Sequence, residues 1–212
     1  MPNHSSRQLI LKKISFASKR QMIFNVESKS TTDAIYKPIL PDVLICFKNE
    51  LEAINGKCIV CDNETDLYSK LKSFVQQTNL PFLYSRDPLI TNTLKIFNIP
   101  VSMNENDFEG MKAGITGCEF LIARTGSVMV SSASVSGRQM NIFPPVHIVL
   151  AHVSQLVNYP EDALVAILEK YGNSLPSSIS TISGPSRTAD IEKTLVLGAH
   201  GPKEFVVFLC KE

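Results

Sequence analysis

Three stretches of this sequence hold residue types that can do chemistry. The first is Ser183-Gly184-Pro185-Ser186-Arg187-Thr188-Ala189-Asp190, where a strand-like run ends in a Gly-Pro turn and is followed by hydroxyls and a guanidinium. If a helix begins there, its free backbone N–H groups favour an anion, and Arg187 offers a planar fork to a carboxylate or phosphate. The same residues also read as an ordinary helix entrance, with Ser186 or Thr188 as N-cap and Arg187 solvated. The second stretch is Gly114-Ile115-Thr116-Gly117-Cys118-Glu119 with Arg124-Thr125-Gly126-Ser127. Two glycine-hydroxyl clusters flank a short strand, so backbone donors at either end suit an anion or simply make turns at positive φ. Glu119 is the only carboxylate of this stretch. The third pairs Arg138 with His147, which lies on an apolar strand. There it is a general acid or base only if a partner faces it, and otherwise a hydrogen-bonded core residue.

Other chemistries lack their residues. No Gly-Lys-Ser/Thr closes the glycine clusters and no G-x-G-x-x-G occurs, so neither an ATPase nor a dinucleotide site is supported. Cys58 and Cys61 form C-x-x-C along a strand, where positions i and i+3 point to opposite faces. No second C-x-x-C supplies the ligands of an iron–sulfur cluster. His147, His152, Cys118 and His200 are scattered, and His200 reads as a turn residue. No metal site and no cofactor are expected.

Bulk properties agree with an ordinary globular protein. The chain has 212 residues, 44% of them hydrophobic and 19% charged. Twenty-one Lys and Arg against twenty Asp and Glu give a net charge of +1, so nothing general draws it to nucleic acid or an anionic membrane. Five irregularly spaced cysteines read as reduced thiols rather than a disulfide framework. The basic start carries no apolar stretch of signal-peptide length, and no segment has the roughly 20 apolar residues of a membrane span. A soluble, cytoplasmic protein is expected.

The elements that must position these residues alternate. Residues 5–23 show a rough helical stripe, and the Pro-containing stretch Glu27–Pro41 reads as an extended arm or linker. From Asn55 onward, strands are expected at Lys57–Cys61, Phe82–Tyr84, Phe120–Ala123, Ser127–Val130, Val146–Ala151, Ile179–Ile182 and Phe205–Cys210. Helices are expected at Glu64–Gln77, Pro88–Phe97, Asn106–Ala113 and Glu161–Lys170, with another short one inside 184–201. This spacing favours βαβ units around a mostly parallel sheet, and the paired runs near Thr125 add an antiparallel piece. The division reads as an arm over 1–45 and an α/β domain over 46–212.

Four segments then carry a resemblance: Ala113–Ser132, Gly137–Leu150, Ser183–Glu192 and Leu197–Leu209. With their GITG, TGS, PPVHI, SGPSRTADIE and GAHGP motifs in this order, they closely resemble the LUD domain of the lactate utilization protein C family. The resemblance implies an α/β fold with a mostly parallel central sheet flanked by helices, of the NagB/RpiA/CoA-transferase-like kind. It implies a cytoplasmic role in oxidising L-lactate to pyruvate beside iron–sulfur partner proteins, without a redox centre in this chain. One departure stands out. The family usually places Glu before the Thr-Gly, a position like that of the acyl-forming glutamate of CoA-transferases. Here it is Arg124, which stays protonated and cannot attack.

The leading expectation is therefore an accessory subunit binding a small anionic ligand through Thr125, Gly126, Ser127, Arg138, Gly184, Ser186, Arg187 and Thr188. The rival is a stand-alone isomerase- or CoA-transferase-like enzyme on a phosphorylated or CoA-linked substrate, with Glu119 or His147 turned toward the Ser186-Arg187 turn. A third possibility is a pure interaction module that holds redox partners together.

Overall fold

A computed structural model describes residues 6–18, 39–189, 195–197 and 201–212, the side chains of 17, 18, 188, 189 and 195–197 excepted. The chain divides into two units, 1–38 and 39–212. Of the first, helix α1 (Ser6–Ser18) is described. The expected arm lies, apart from Ile39–Pro41, outside the described residues, and so does His200.

The second unit is built on a six-stranded parallel sheet. Its strands are β1 (Lys57–Cys61), β2 (Leu83–Tyr84), β3 (Val101–Ser102), β4 (Ala113–Thr116), β7 (Val146–His152) and β12 (Glu204–Cys210), in spatial order β1-β12-β7-β4-β2-β3. A second, four-stranded sheet is formed by β5 (Phe120–Ile122), β6 (Ser127–Ser131), β8 (Leu156–Val157) and β9 (Ile179–Ile182), in the order β8-β5-β6-β9. There β6 runs antiparallel to both of its neighbours.

Parallel strands are apolar on both faces and need cover on both. Helices α3 (Glu64–Gln77) and α4 (Pro88–Ile96) cover one face through Leu67, Leu71, Val75 and Leu94, which meet Ile115, Ile148, Val206 and Phe208. The opposite face carries Val149, Phe205, Val207 and Leu209. It is covered by Phe47 and Leu51 of helix α2 (Val43–Ala53) and by Leu121 and Val128 of the second sheet. The outer face of that sheet is closed by helix α5 (Pro160–Tyr171), where Ala163 and Ile167 meet Ile122 and Met129. As its spacing requires, Cys58 belongs to one face of the main sheet and Cys61 to the other.

Local chemistry sets the helix starts. Asp42, Asn63 and Asp87 each accept a backbone N–H of the first turn, and Pro88 occupies the first turn of α4, where a missing N–H costs nothing.

One expected helix is not found, and the described residues of a second expected helical stretch, 184–189 and 195–197, are not helical. At Asn106–Ala113 the structure has only a 3-10 turn, Glu105–Asp107, followed by β4. Side-chain bonds hold the chain out of the α conformation there: Asn104 Oδ1 accepts from Asn106 N at 3.1 Å and Ser102 Oγ donates to Asp107 Oδ2 at 2.5 Å. The Gly-rich end holds an antiparallel pair, β10 (Arg187–Ala189) with β11 (Leu195–Leu197). Its entry is fixed by Ser186 N donating to Pro202 O at 2.8 Å. Arg187 is thus a strand residue, and neither Ser186 nor Thr188 caps a helix. Conversely, α2 went unread because its first half, Val43–Phe47, is an unbroken apolar run in which the helical period does not show.

Gly126 sits at φ +59°, and a Cβ there would lie 2.2 Å from Leu51 N. A left-handed alanine costs roughly 1–2 kcal/mol and forced overpacking about 1–3 kcal/mol more. Gly126→Ala is expected to destabilise the protein by roughly 2–5 kcal/mol. The midpoint of urea unfolding checks this, and a shift under 1 kcal/mol would be incompatible with so close an approach.

Candidate functional site

The glycine turns expected to form one cleft do converge. Ser127 Oγ and Ser183 Oγ are 2.7 Å apart, Gly126 packs on Glu50 and Leu51, and Gly184 packs on Ile54. What they converge on is the C-terminal end of α2. Ser127, Gly126, Gly184 and Pro185 are buried, whereas Thr125 is exposed. Arg187 Nη2 donates to Ile54 O at 2.6 Å, a cation on the carbonyl end of a helix, which is the favourable pole for it. The side chain of Thr188 lies outside the described residues. Arg138 is exposed and donates from Nη2 to Ser177 Oγ at 2.7 Å. Arg124 pairs with Glu50 at 3.4 Å, so the guanidinium at that position braces α2.

His147 is fully buried on the central strand β7. Its Nε2 lies 2.9 Å from Thr116 Oγ1, its ring stands edge-on to Phe205, and its Nδ1 has no hydrogen-bond partner. Burial pushes its pKa down to about 4. A ring with no exposed surface meets no substrate. The expectation of an acid–base role is corrected to that of a core residue.

Glu119 is placed differently. At the carboxyl ends of β2 and β4 the chain leaves in opposite directions, through α4 on one face of the sheet and through the second sheet on the other. In α/β proteins such a switch point opens a crevice where ligands bind. Here a cavity of about 290 Å³ lies there, bounded by Asp87 after β2 and by Gly117, Cys118 and Glu119 after β4. None of Thr125, Gly126, Ser127, Arg138, Gly184, Ser186 or Arg187 borders it.

The cavity is built around the Glu119 carboxylate, itself only 8% exposed. Oε1 accepts from Ser131 Oγ at 2.5 Å and from Tyr171 OH at 2.8 Å, and Oε2 accepts from Lys170 Nζ at 2.7 Å. Burial pushes the carboxyl pKa up, but the bonds from Lys170, Ser131 and Tyr171 outweigh it and hold the group below the usual carboxylate range. The same bond raises the pKa of Lys170, whose side chain is 53% exposed at the end of α5. An ionised pair therefore stands at the cavity wall. Beside it, burial pushes the Cys118 thiol up to about 12, so it is no thiolate nucleophile.

A larger cavity of about 920 Å³ opens beside Arg86, Glu105, Phe108 and Gln139. Arg86 spends its guanidinium on Glu105 (3.0 and 3.1 Å) and Gln139 (2.8 Å), and lies over the Phe108 ring. Three of its five N–H donors are engaged within the protein. Among the described residues, no three His, Cys, Asp or Glu side chains are grouped to hold a metal ion, and no helix is long and apolar enough to cross a membrane.

The sequence profile of the LUD domain matches residues 46–210. The chain belongs to the LUD domain family. Its LUD domain begins within α2 and takes in both sheets. Over 191 residues the chain is 29% identical to lactate utilization protein C of Bacillus subtilis, covering 81% of this chain and 79% of that protein. It is 41% identical over 101 residues to an uncharacterized protein of Neisseria meningitidis, covering 47% of this chain and 42% of that one. With lactate utilization protein C of Shouchella clausii it shares 40% over 90 residues, 42% of this chain and 39% of that protein. A crystal structure of a DUF162 family protein from Deinococcus radiodurans has the same fold, with a TM-score of 0.60 at 16% identity, covering 79% of this chain and 96% of that one.

The buried histidine predicts a pH dependence. The fold holds His147 neutral, whereas the unfolded chain takes up a proton below the ordinary value of 6.5. Stability contributed by the neutral ring is full above that value and falls as pH drops toward the folded value, at about 1.4 kcal/mol per pH unit. Carboxylates that the fold holds below their usual range, Glu119 among them, steepen the slope near pH 4.5, but they do so equally in a variant that lacks only the ring. Unfolding free energy measured between pH 6.5 and 4.5 should decline in the wild type and flatten in His147→Gln. Equal slopes would mean the ring is protonated in the fold.

Proposed function

We propose that this chain takes part in lactate utilization, as a LUD-domain component of a cytoplasmic system that oxidises L-lactate to pyruvate with iron–sulfur partner proteins. In this reading the chain binds a small anionic ligand and holds no redox centre. The two electrons taken from the hydroxyl-bearing carbon pass to the partner proteins. The observation that carries the reading is the likeness to lactate utilization protein C of B. subtilis, which extends over 79% of that protein. The residues first expected to hold the anion support it less. Arg187 lies against the carbonyl end of α2, the negative pole of the helix, where Gly126, Ser127 and Gly184 are buried, and Arg138 is an exposed residue that donates to Ser177 Oγ.

The stand-alone isomerase or CoA-transferase reading needs a carboxylate or imidazole facing the Ser186-Arg187 turn. Glu119 is bonded instead to Ser131, Lys170 and Tyr171, His147 is sealed, and Arg124 occupies the position where an acyl-forming carboxylate would stand. The lactate reading is preferred on these grounds.

Deletion of the gene in the source organism tests it. L-Lactate consumption is expected to fall at least tenfold while growth on pyruvate is kept, and a plasmid copy should restore it. Unchanged lactate consumption in the deletion strain would overturn the reading. Co-purification of the tagged chain from lactate-grown cells should bring down cysteine-rich iron–sulfur proteins.

A further inference from the structure

We propose that the cavity at the β2/β4 switch point is a binding site for a small 2-hydroxy or 2-oxo carboxylate, with Lys170 Nζ on the ligand carboxylate. The ligand class rests on the lactate reading, whereas the place rests on the cavity alone. Four observations converge there.

The first is position. The crevice lies outside the carboxyl ends of β2 and β4, where successive connections part to opposite faces of the sheet. The second is size. At about 290 Å³ the cavity falls at the small end of ligand pockets, which run roughly 300–1,000 Å³, and suits a molecule of a few heavy atoms rather than a nucleotide.

The third is the cation. An ammonium has three N–H donors and Lys170 gives one to Glu119, which orients the group at the mouth of the cavity and leaves donors for a carboxylate. Glu119 in turn is fixed by Ser131 and Tyr171, so the lysine is anchored to a rigid wall rather than to solvent. The fourth is the remaining lining. Ser134 and Asn141 offer a hydroxyl and an amide suited to a ligand hydroxyl or keto oxygen, and Val130, Ala133 and Val135 offer apolar surface to a methyl group. Because Glu119 partly neutralises the cation, binding is weak, in the roughly millimolar range expected of so few contacts.

This arrangement makes a prediction that a purely structural ion pair does not. Removing the cation should weaken binding, but removing its fixed counter-charge should strengthen it. The experiment titrates L-lactate, pyruvate, acetate, glycerol and inorganic phosphate into the full chain, followed by isothermal calorimetry and backbone amide shifts. L-Lactate or pyruvate is expected to saturate and to move amides of Gly117–Glu119 and Lys170–Tyr171. Lys170→Met should weaken binding at least tenfold, and Glu119→Gln should tighten it several-fold. Ser134→Ala, at a half-buried turn, should weaken it a fewfold and serves where the Glu119 variant does not fold.

Equal binding by Lys170→Met overturns the proposal. So do shifts confined to the 183–187 turn, saturation by glycerol in place of the carboxylates, or no saturation by any probe. Expression of Lys170→Met in the deletion strain separates the two readings. Full rescue of lactate consumption by this variant removes the pocket and keeps the lactate role. A deletion strain that consumes lactate normally removes the lactate role, and the titrations then decide the pocket alone.

Discussion

A parallel sheet is buried on both faces, and in this protein the two covers are of different kinds. Helices α3 and α4 pack on one side, and a second sheet with α2 packs on the other. The chain must therefore change sides once the outer strands β2 and β3 are laid down. It does so between β2 and β4, and the connections parting there cannot fill the space between them. The crevice that Asp87 and Glu119 border follows from the need to cover both faces rather than from any local loop sequence.

The second junction, at the end of α2, solves an opposite problem. The last carbonyls of a helix have no partners of their own and carry its negative pole. Gly126 and Gly184 let two turns approach this end more closely than any side chain permits, and Arg187 supplies a cation to the Ile54 carbonyl. Residues with the look of an anion site are thus grouped against the one helix end that repels anions. The same chemistry, glycine beside hydroxyl and guanidinium, serves either pole of a helix. Which pole it meets is decided by tertiary packing.

That contrast marks how far the sequence was legible. Elements with strong periodicity read well: β1 at Lys57–Cys61, α3 at Glu64–Gln77 and β9 at Ile179–Ile182 carry the expected bounds. Motif and period did not separate a helix entrance from a strand at Arg187, because turn residues and an Arg-Thr-Ala run suit both. Nor did they show α2, where the unbroken apolar run Val43–Phe47 hides the helical period and the polar residues Lys48, Asn49, Glu50 and Glu52 come only after it. Within the site, Glu119 was visible as a carboxylate at the start of a strand, but its partners were not. Lys170 is 51 residues further on, and in sequence it reads as an ordinary cation at a helix C-terminus.

Stability gives no sufficient reason for the Glu119 cluster. A buried carboxylate must recover a desolvation penalty through its bonds, and replacement of such a pair by well-packed apolar residues is often neutral or favourable. His147 shows what the interior of this sheet tolerates when polarity has no outlet: one ring nitrogen bonded to Thr116, the other unpartnered, and the charge given up. Glu119 keeps its charge. Three donors from two distant elements hold it ionised, and the cation that balances it stands half in solvent rather than in the core. The ion pair stands at the crevice that the β2/β4 switch point leaves open, which is where an oriented ammonium is of use to a ligand.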